Sequence, residues 1–161
     1  MMEDLDIADL AILRLLQSDG RMSHAELAQH VGLAAPTVQR RVRLLEERGY
    51  IRGYAALIDP ITVGLPVTTF IFVESQAGCD LRSLEDFLVG LPGIQEAHRL
   101  IGEWCFLLKV RTASPQALER LIYHDLRQHA GVRRTQTILA TSSALETPSL
   151  PLPAAAPERP R

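Results

Sequence analysis

The spacing of apolar residues changes near residue 50, and that change constrains the fold more than any other feature of the chain. Before it, apolar side chains recur at the three- and four-residue intervals of a helix; from Val67 onward, β-branched and aromatic runs alternate with helical stretches. A helical stripe and an alternating strand bury their apolar sides against different partners. The pattern therefore predicts two domains.

The first half reads as three helices. Asp6 caps the first, with Asp9 at its N3 position and Leu10, Ile12, Leu13 and Leu16 forming a stripe that stops by Gly20. Ser23-His24-Ala25-Glu26 is a capping box, and Met22 with Leu27 supplies a hydrophobic staple, so a second helix runs from His24 to Val31 and ends on Gly32. The third covers about Ala35 to Arg48, with Pro36 in its first turn, Val38, Val42 and Leu45 inward, and Gly49 closing it. Only Gly32-Leu33-Ala34 joins the second helix to the third. That is a helix-turn-helix, and Tyr50 to Ile58 reads as a small hairpin turning near Arg52-Gly53, a wing.

The second half alternates. Val67 to Glu74 is a strand; Asp80 caps a helix carrying Leu81, Leu84, Phe87 and Leu88; Ile94 to Ile101 and Cys105 to Arg111 are strands joined through Gly102-Glu103-Trp104. Ser114-Pro115 opens a last helix, closed by Gly131, and Val132 to Thr141 is the last strand. The order β-α-β-β-α-β predicts a ferredoxin-like sheet with both helices on one face. Its other face, rich in Val, Ile, Leu and Phe, needs a cover, and a second copy of the chain is the expected one. The fold class is therefore α+β: a winged helix-turn-helix over residues 1–60 and a ferredoxin-like domain over 61–145. Five of the ten prolines fall within residues 146–161, which read as a disordered tail.

Composition narrows function by exclusion. Two cysteines, Cys79 and Cys105, lack metal-binding or disulfide spacing, and no uncharged run reaches the length of a membrane helix. The acidic start (Glu3, Asp4, Asp6, Asp9) is unlike a signal peptide, so the expected location is cytoplasmic, on the nucleoid, with no membrane partner. No cofactor, metal site or catalytic residue is expected. Seventeen basic residues against nineteen acidic ones leave a net charge of −2, so only local charge can indicate nucleic acid. Between Ala34 and Tyr54 the balance reverses, with Arg40, Arg41, Arg43, Arg48 and Arg52 against Glu46 and Glu47. A recognition helix enters the major groove by its N-terminal residues, where Gln pairs with adenine and Arg with guanine, while cations farther along hold phosphates. Thr37, Gln39, Arg40, Arg41, Arg43 and Arg52 are the candidate contacts to double-stranded DNA.

Leu5-Asp6 with Asp9 and Ile12-Leu13, Gly32-Leu33, Arg41-Val42-Arg43, Leu45-Glu46, Gly49-Tyr50-Ile51 and Gly53-Tyr54 resemble the N-terminal half of the Lrp/AsnC (feast/famine) regulators. Ile94-Gln95-Glu96-Ala97-His98, Gly102-Glu103, Leu107-Leu108-Lys109, Gly131-Val132 and Thr135-Gln136-Thr137 are similar to that family's effector-binding half, also called the RAM domain. The resemblance covers about residues 4 to 145. It implies a transcriptional regulator that dimerises through the second domain and assembles further into tetramers or octamers, with a small effector, commonly an amino acid, in a cleft between dimers. By position, Gly102, Glu103, Trp104 and Cys105 match the effector loop, and Thr135 and Thr137 match the Thr-x-Thr of the last strand. The family loop usually reads Gly-Asp-x-Asp, so Glu103 is longer and Cys105 replaces a carboxylate; a larger or aromatic ligand stacked on Trp104 is one consequence. Ala34 stands where the family favours a capping Ser.

A rival reading is an enzyme on the same scaffold. Siroheme decarboxylases resemble both halves, and His98, Arg99, Arg111, Arg133 and Arg134 are side chains that porphyrin carboxylates would need. Asp125 and His129, one helical turn apart, suggest acid–base work, against a structural hydrogen bond at a helix end.

Overall fold

The computed structural model describes residues 5–153. They form two compact units, residues 5–57 with the segment from 146 onward, and residues 58–145.

In the first unit, α1 (Ile7–Ser18) opens on a reciprocal cap. The Asp6 carboxylate accepts from the Asp9 N–H at 2.8 Å, and the Asp9 carboxylate from the Asp6 N–H at 3.2 Å. α2 (His24–Val31) begins with the same device, made by Ser23 and Glu26. It ends on Gly32 at a φ of +68°, a left-handed turn that costs glycine nothing and lets the chain reverse within three residues. α3 (Ala35–Glu47) starts without a side-chain cap at Ala34, with Pro36 in its first turn. Leu10, Ile12, Leu27, Val38, Val42 and Leu45 close the core between the three helices, with Met22 packed at its edge. Burial of each large side chain contributes roughly 1.5–3 kcal/mol.

The hairpin expected over Tyr50 to Ile58 is replaced by irregular chain: among the described residues no strand lies between α3 and Val67. The N–H groups of Tyr50 and Ile51 both donate to the Leu45 carbonyl, at 2.9 and 3.1 Å, and the Tyr54 hydroxyl donates to Glu46 at 3.0 Å. The segment is drawn back onto the end of α3. The Tyr50 and Ile51 N–H groups are donors that a ladder would need, and a lone two-stranded ribbon is marginal in water.

The second unit is a four-stranded antiparallel sheet of β1 (Val67–Ser75), β2 (Ile94–Arg99), β3 (Phe106–Thr112) and β4 (Val132–Leu139), in the order β2-β3-β1-β4. α4 (Leu81–Val89) is capped by Asp80, and α5 (Pro115–Arg120) by Ser114. The connection between β2 and β3 is longer than expected, Leu100 to Cys105, closed by the Leu100 N–H donating to the Cys105 carbonyl at 2.8 Å. The last helix also departs from expectation: after six α-helical residues it becomes a π turn, Leu121–Leu126. Leu121 and Leu126 are both buried. Five residues of α-helix would set them about 140° apart, whereas an i→i+5 turn returns them to one side.

Ile71, Val73, Phe106, Leu108 and Val110 form the sheet side of the core, against Leu84 and Leu88 of α4, Leu118 of α5 and the two leucines of the π turn. Phe70, Phe72, Leu107 and Lys109 alternate with them and lie on the opposite face, which carries no helix.

The segment read as a disordered tail is fastened over its described part. Residues 146–153 carry no helix or strand, yet the Gln17 side chain accepts from the Leu150 N–H at 2.6 Å and donates to its carbonyl at 3.3 Å, while Arg14 donates to the Pro153 carbonyl. Residues 154–161 lie outside the described residues.

Candidate nucleic-acid interface and effector surface

Val38, Val42 and Leu45 fix which side of α3 faces inward, and the helical period then decides the rest. Gln39, Arg40 and Arg43 are exposed, Thr37 is half-buried, and Arg52 is exposed beyond the helix. Arg43 Nε donates to Glu47 at 2.7 Å across one helical turn. That pair lies in solvent, where such bonds are worth about 0.3–0.5 kcal/mol, so a phosphate or base edge readily replaces it.

Arg41 departs from the expected set. Its Nη1 donates to Asp6 at 2.7 Å and to Asp9 at 2.8 Å, its side chain is only 24% exposed, and the bond to Asp9 leads the causes that raise its pKa. It ties α3 to the N-terminus of α1. Burial opposes ionisation of Asp6, but the Asp9 N–H and Arg41 outweigh it and hold the Asp6 carboxyl below its ordinary value. Arg41 is thus a structural clamp that fixes α3 while Arg40 and Arg43 remain available.

In the second unit the expected effector residues divide between the two faces of the sheet. Thr137 pairs with Ile71 and Thr135 with Val73, so both threonines share the face that carries the helices. Trp104 instead contacts Phe72, ring centroids 5.8 Å apart, toward the open face. The Arg134 guanidinium lies 4.5 Å from the Trp104 ring centroid and pairs with Glu74 at 2.8 Å and Glu103 at 2.6 Å. Arg133 adds a second cation to Glu74, whose pKa is lowered first by its bond to Arg134. Trp104 is therefore braced by partners of its own chain, Phe72 and Arg134. Cys105 packs against the core, its Sγ 3.1 Å from Ser75 Oγ. Gly102 holds a φ of +146° in the turn.

The basic residues that an enzyme would need are committed as well. His98 contacts Glu96 at 3.1 Å, Arg99 pairs with Glu85 at 2.7 Å, and Arg111 donates to Gln95 at 3.2 Å and to the Leu65 carbonyl at 3.4 Å. His129 stacks on Phe87, centroids 4.2 Å apart, and its Nδ1 accepts from the Gly131 N–H. That is a structural bond at a helix end, made with backbone rather than with Asp125. Among the described residues, no group of three or more His, Cys, Asp or Glu side chains is arranged to hold a metal ion, and no helix is long and apolar enough to cross a membrane.

A tight helix-turn-helix with an exposed arginine-bearing third helix, linked to a separate ferredoxin-like sheet, defines a class: transcriptional regulators that join a DNA-binding unit to a ligand-binding one. Two family models match in that order, winged helix-turn-helix DNA-binding over residues 5–52 and Lrp/AsnC ligand binding domain over residues 67–150. The chain belongs to the Lrp/AsnC family of transcriptional regulators. It is 36% identical over 138 residues to the leucine-responsive regulatory protein of Rhizobium meliloti, covering 84% of this chain and 88% of that one. The Escherichia coli K12 protein of the same name is 35% identical over 137 residues, 84% of each chain. Among solved structures, a Neisseria meningitidis transcriptional regulator in complex with L-methionine superposes with a TM-score of 0.88 at 32% identity, covering 91% of this chain and 96% of that one. Escherichia coli AsnC gives 0.83 at 25% identity, with coverage of 88% and 95%.

Proposed function

We propose that α3 reads DNA through Thr37, Gln39, Arg40 and Arg43, that Arg52 holds a neighbouring phosphate, and that Arg41 acts only by positioning the helix. The observation that carries this reading is the split among the arginines: Arg41 is locked to two carboxylates, while Arg40 and Arg43 stand on the outer side of the same helix. Two α3 helices per dimer would engage half-sites about one helical turn apart. A gel-shift titration at two salt concentrations tests it. Arg40→Ala weakens binding and lowers the salt slope by about two, one for each guanidinium that a dimer presents to DNA, with assembly unchanged in light scattering; unaltered binding would remove Arg40 from the interface.

The second unit is the sensing and assembly unit. The open face bearing Phe70, Phe72, Leu107 and Ile138 pairs with a second copy, and dimers combine further into tetramers or octamers. The relative solved with L-methionine supports an amino-acid effector at the Leu100–Cys105 turn and the Thr135–Thr137 strand. Since Trp104 and the two threonines lie on opposite faces of one sheet, a pocket using both draws them from different copies. Effector binding then couples to assembly, with a coupling of about 1–3 kcal/mol. The protein works in the cytoplasm on the nucleoid and catalyses no reaction; an absorbance spectrum of the purified protein without a Soret band supports this against the siroheme-decarboxylase-like reading.

A further inference from the structure

One edge of α1 grips main chain rather than side chains. Gln17, half-buried near the helix's C-terminal end, spends both ends of its amide on one residue: Oε1 accepts from the Leu150 N–H at 2.6 Å, and Nε2 donates to the Leu150 carbonyl at 3.3 Å. A side-chain amide paired in this way satisfies one residue's donor and acceptor together, as a neighbouring strand would. Arg14, half-buried one helical turn earlier, donates to the Pro153 carbonyl.

The segment between the two grips is shaped to fit them. Gln17 and Arg14 are about 4.5 Å apart along the helix axis, whereas three extended residues would reach about 10 Å. The Leu152 N–H donates to the Leu150 carbonyl at 2.9 Å, a three-residue turn centred on Pro151 that shortens the path. The fixed φ of proline suits such a turn. Leu152 is half-buried beyond it. Pro148, Pro151 and Pro153 also restrict the undocked chain, so less entropy is lost when it seats.

The segment arrives from the other unit. After β4 ends at Leu139, residues 140–149 carry no helix or strand and lead to Leu150. The chain thus passes between the two units twice, at Leu57–Ile58 and again at Leu145–Glu146. A tether this short sets an effective concentration in the millimolar range, so bonds too weak to hold a free peptide keep this one seated.

We infer that the Arg14–Gln17 edge of α1 is a docking site for a proline-containing peptide, that its occupant is residues 148–153 of the same chain, and that the seated segment is a second tie on the DNA-binding unit. A unit tied twice reaches fewer positions than one tied once, so docking narrows the range of half-site separations that paired α3 helices accept. That consequence rests on the proposed reading of DNA, and the docking does not.

Amide hydrogen exchange of the full-length protein tests the docking. The Leu150 amide exchanges at least about threefold more slowly than in the free peptide of residues 146–153, the protection given by occupancy of about two-thirds. Gln17→Leu, which keeps a good helix former on α1, returns it to the free rate, with circular dichroism reporting that the helices persist. A photo-crosslinking p-benzoylphenylalanine in place of Leu150 joins the α1 peptide at the mass of one chain. A crosslink at twice that mass would seat the segment on a second copy and overturn the assignment, as would a Leu150 amide exchanging at the free rate. Gel shifts with half-sites moved apart in single base-pair steps test the tie. Leu150→Pro deletes the N–H that Gln17 holds and leaves α1 untouched; it lowers the discrimination between the best separation and one about two base pairs longer by at least about threefold. Equal discrimination would overturn the tie, whereas failure to bind DNA at any separation would defeat the reading of DNA and leave the docking to be decided by exchange and crosslinking.

Discussion

Arg41 shows how a charge that looks functional in sequence can be structural. Its neighbours Arg40 and Arg43 share its chemistry, and only three-dimensional contact with Asp6 and Asp9 separates them. Arg41→Ala leaves Asp9, whose side chain is 13% exposed, without its cation; a loss of roughly 1–3 kcal/mol follows, to be read as a lower urea midpoint. Asp6 sets an acid limit on the same corner. Its folded carboxyl lies below the ordinary 3.8, so its contribution is complete above that pH and fades as pH falls through the lowered value. Asp6→Asn should flatten the acid side of a thermal-melt profile. Tyr54 behaves in the opposite sense: burial first, then Glu46, push its hydroxyl up to about 12, so its contribution holds below pH 10 and disappears as pH rises toward 12. Ultraviolet titration should show one of the chain's three tyrosines ionising late.

At the scale of elements, local rules predicted what local bonds decide. The Asp6 cap, the Ser23–Glu26 capping box, the Gly32 turn and the Ser114 and Asp80 caps stand where the sequence placed them, because each is closed by residues at most four positions apart. The irregular form of the segment after α3 and the π turn in the last helix were not legible for the complementary reason. The Tyr54–Glu46 bond and the burial of both Leu121 and Leu126 depend on packing that no short window contains. The candidate site divides in the same way. The outward side of α3 followed from its period, but the opposite placement of Trp104 and Thr135 required the register of β1 with β4. The uncapped start of α3 is an element-level weakness that can be repaired. Ala34→Ser supplies the missing acceptor and should stabilise the protein by ~1 kcal/mol, visible as a raised melting temperature with unchanged DNA discrimination.

For the whole molecule, the open sheet face and α3 belong to separate compact units, so a substitution on the proposed assembly face leaves the residues of α3 untouched. Phe72→Asp places a charge in the middle of the open face and should convert higher assemblies into smaller species in light scattering, while the helical signal of α1 to α3 persists; an unchanged mass would exclude that face from the interface. The chain carries a single lysine, Lys109, and its ammonium lies on this face, 3.3 Å from Glu96. Apart from the chain's own N-terminal amine, an amine-reactive reagent thus has one address. Acylation of Lys109, followed by peptide mass mapping, becomes a footprint of assembly: its side chain is 18% exposed in the single chain, and a second copy over the face slows the reaction further, a difference readable in a crude extract without any engineered label.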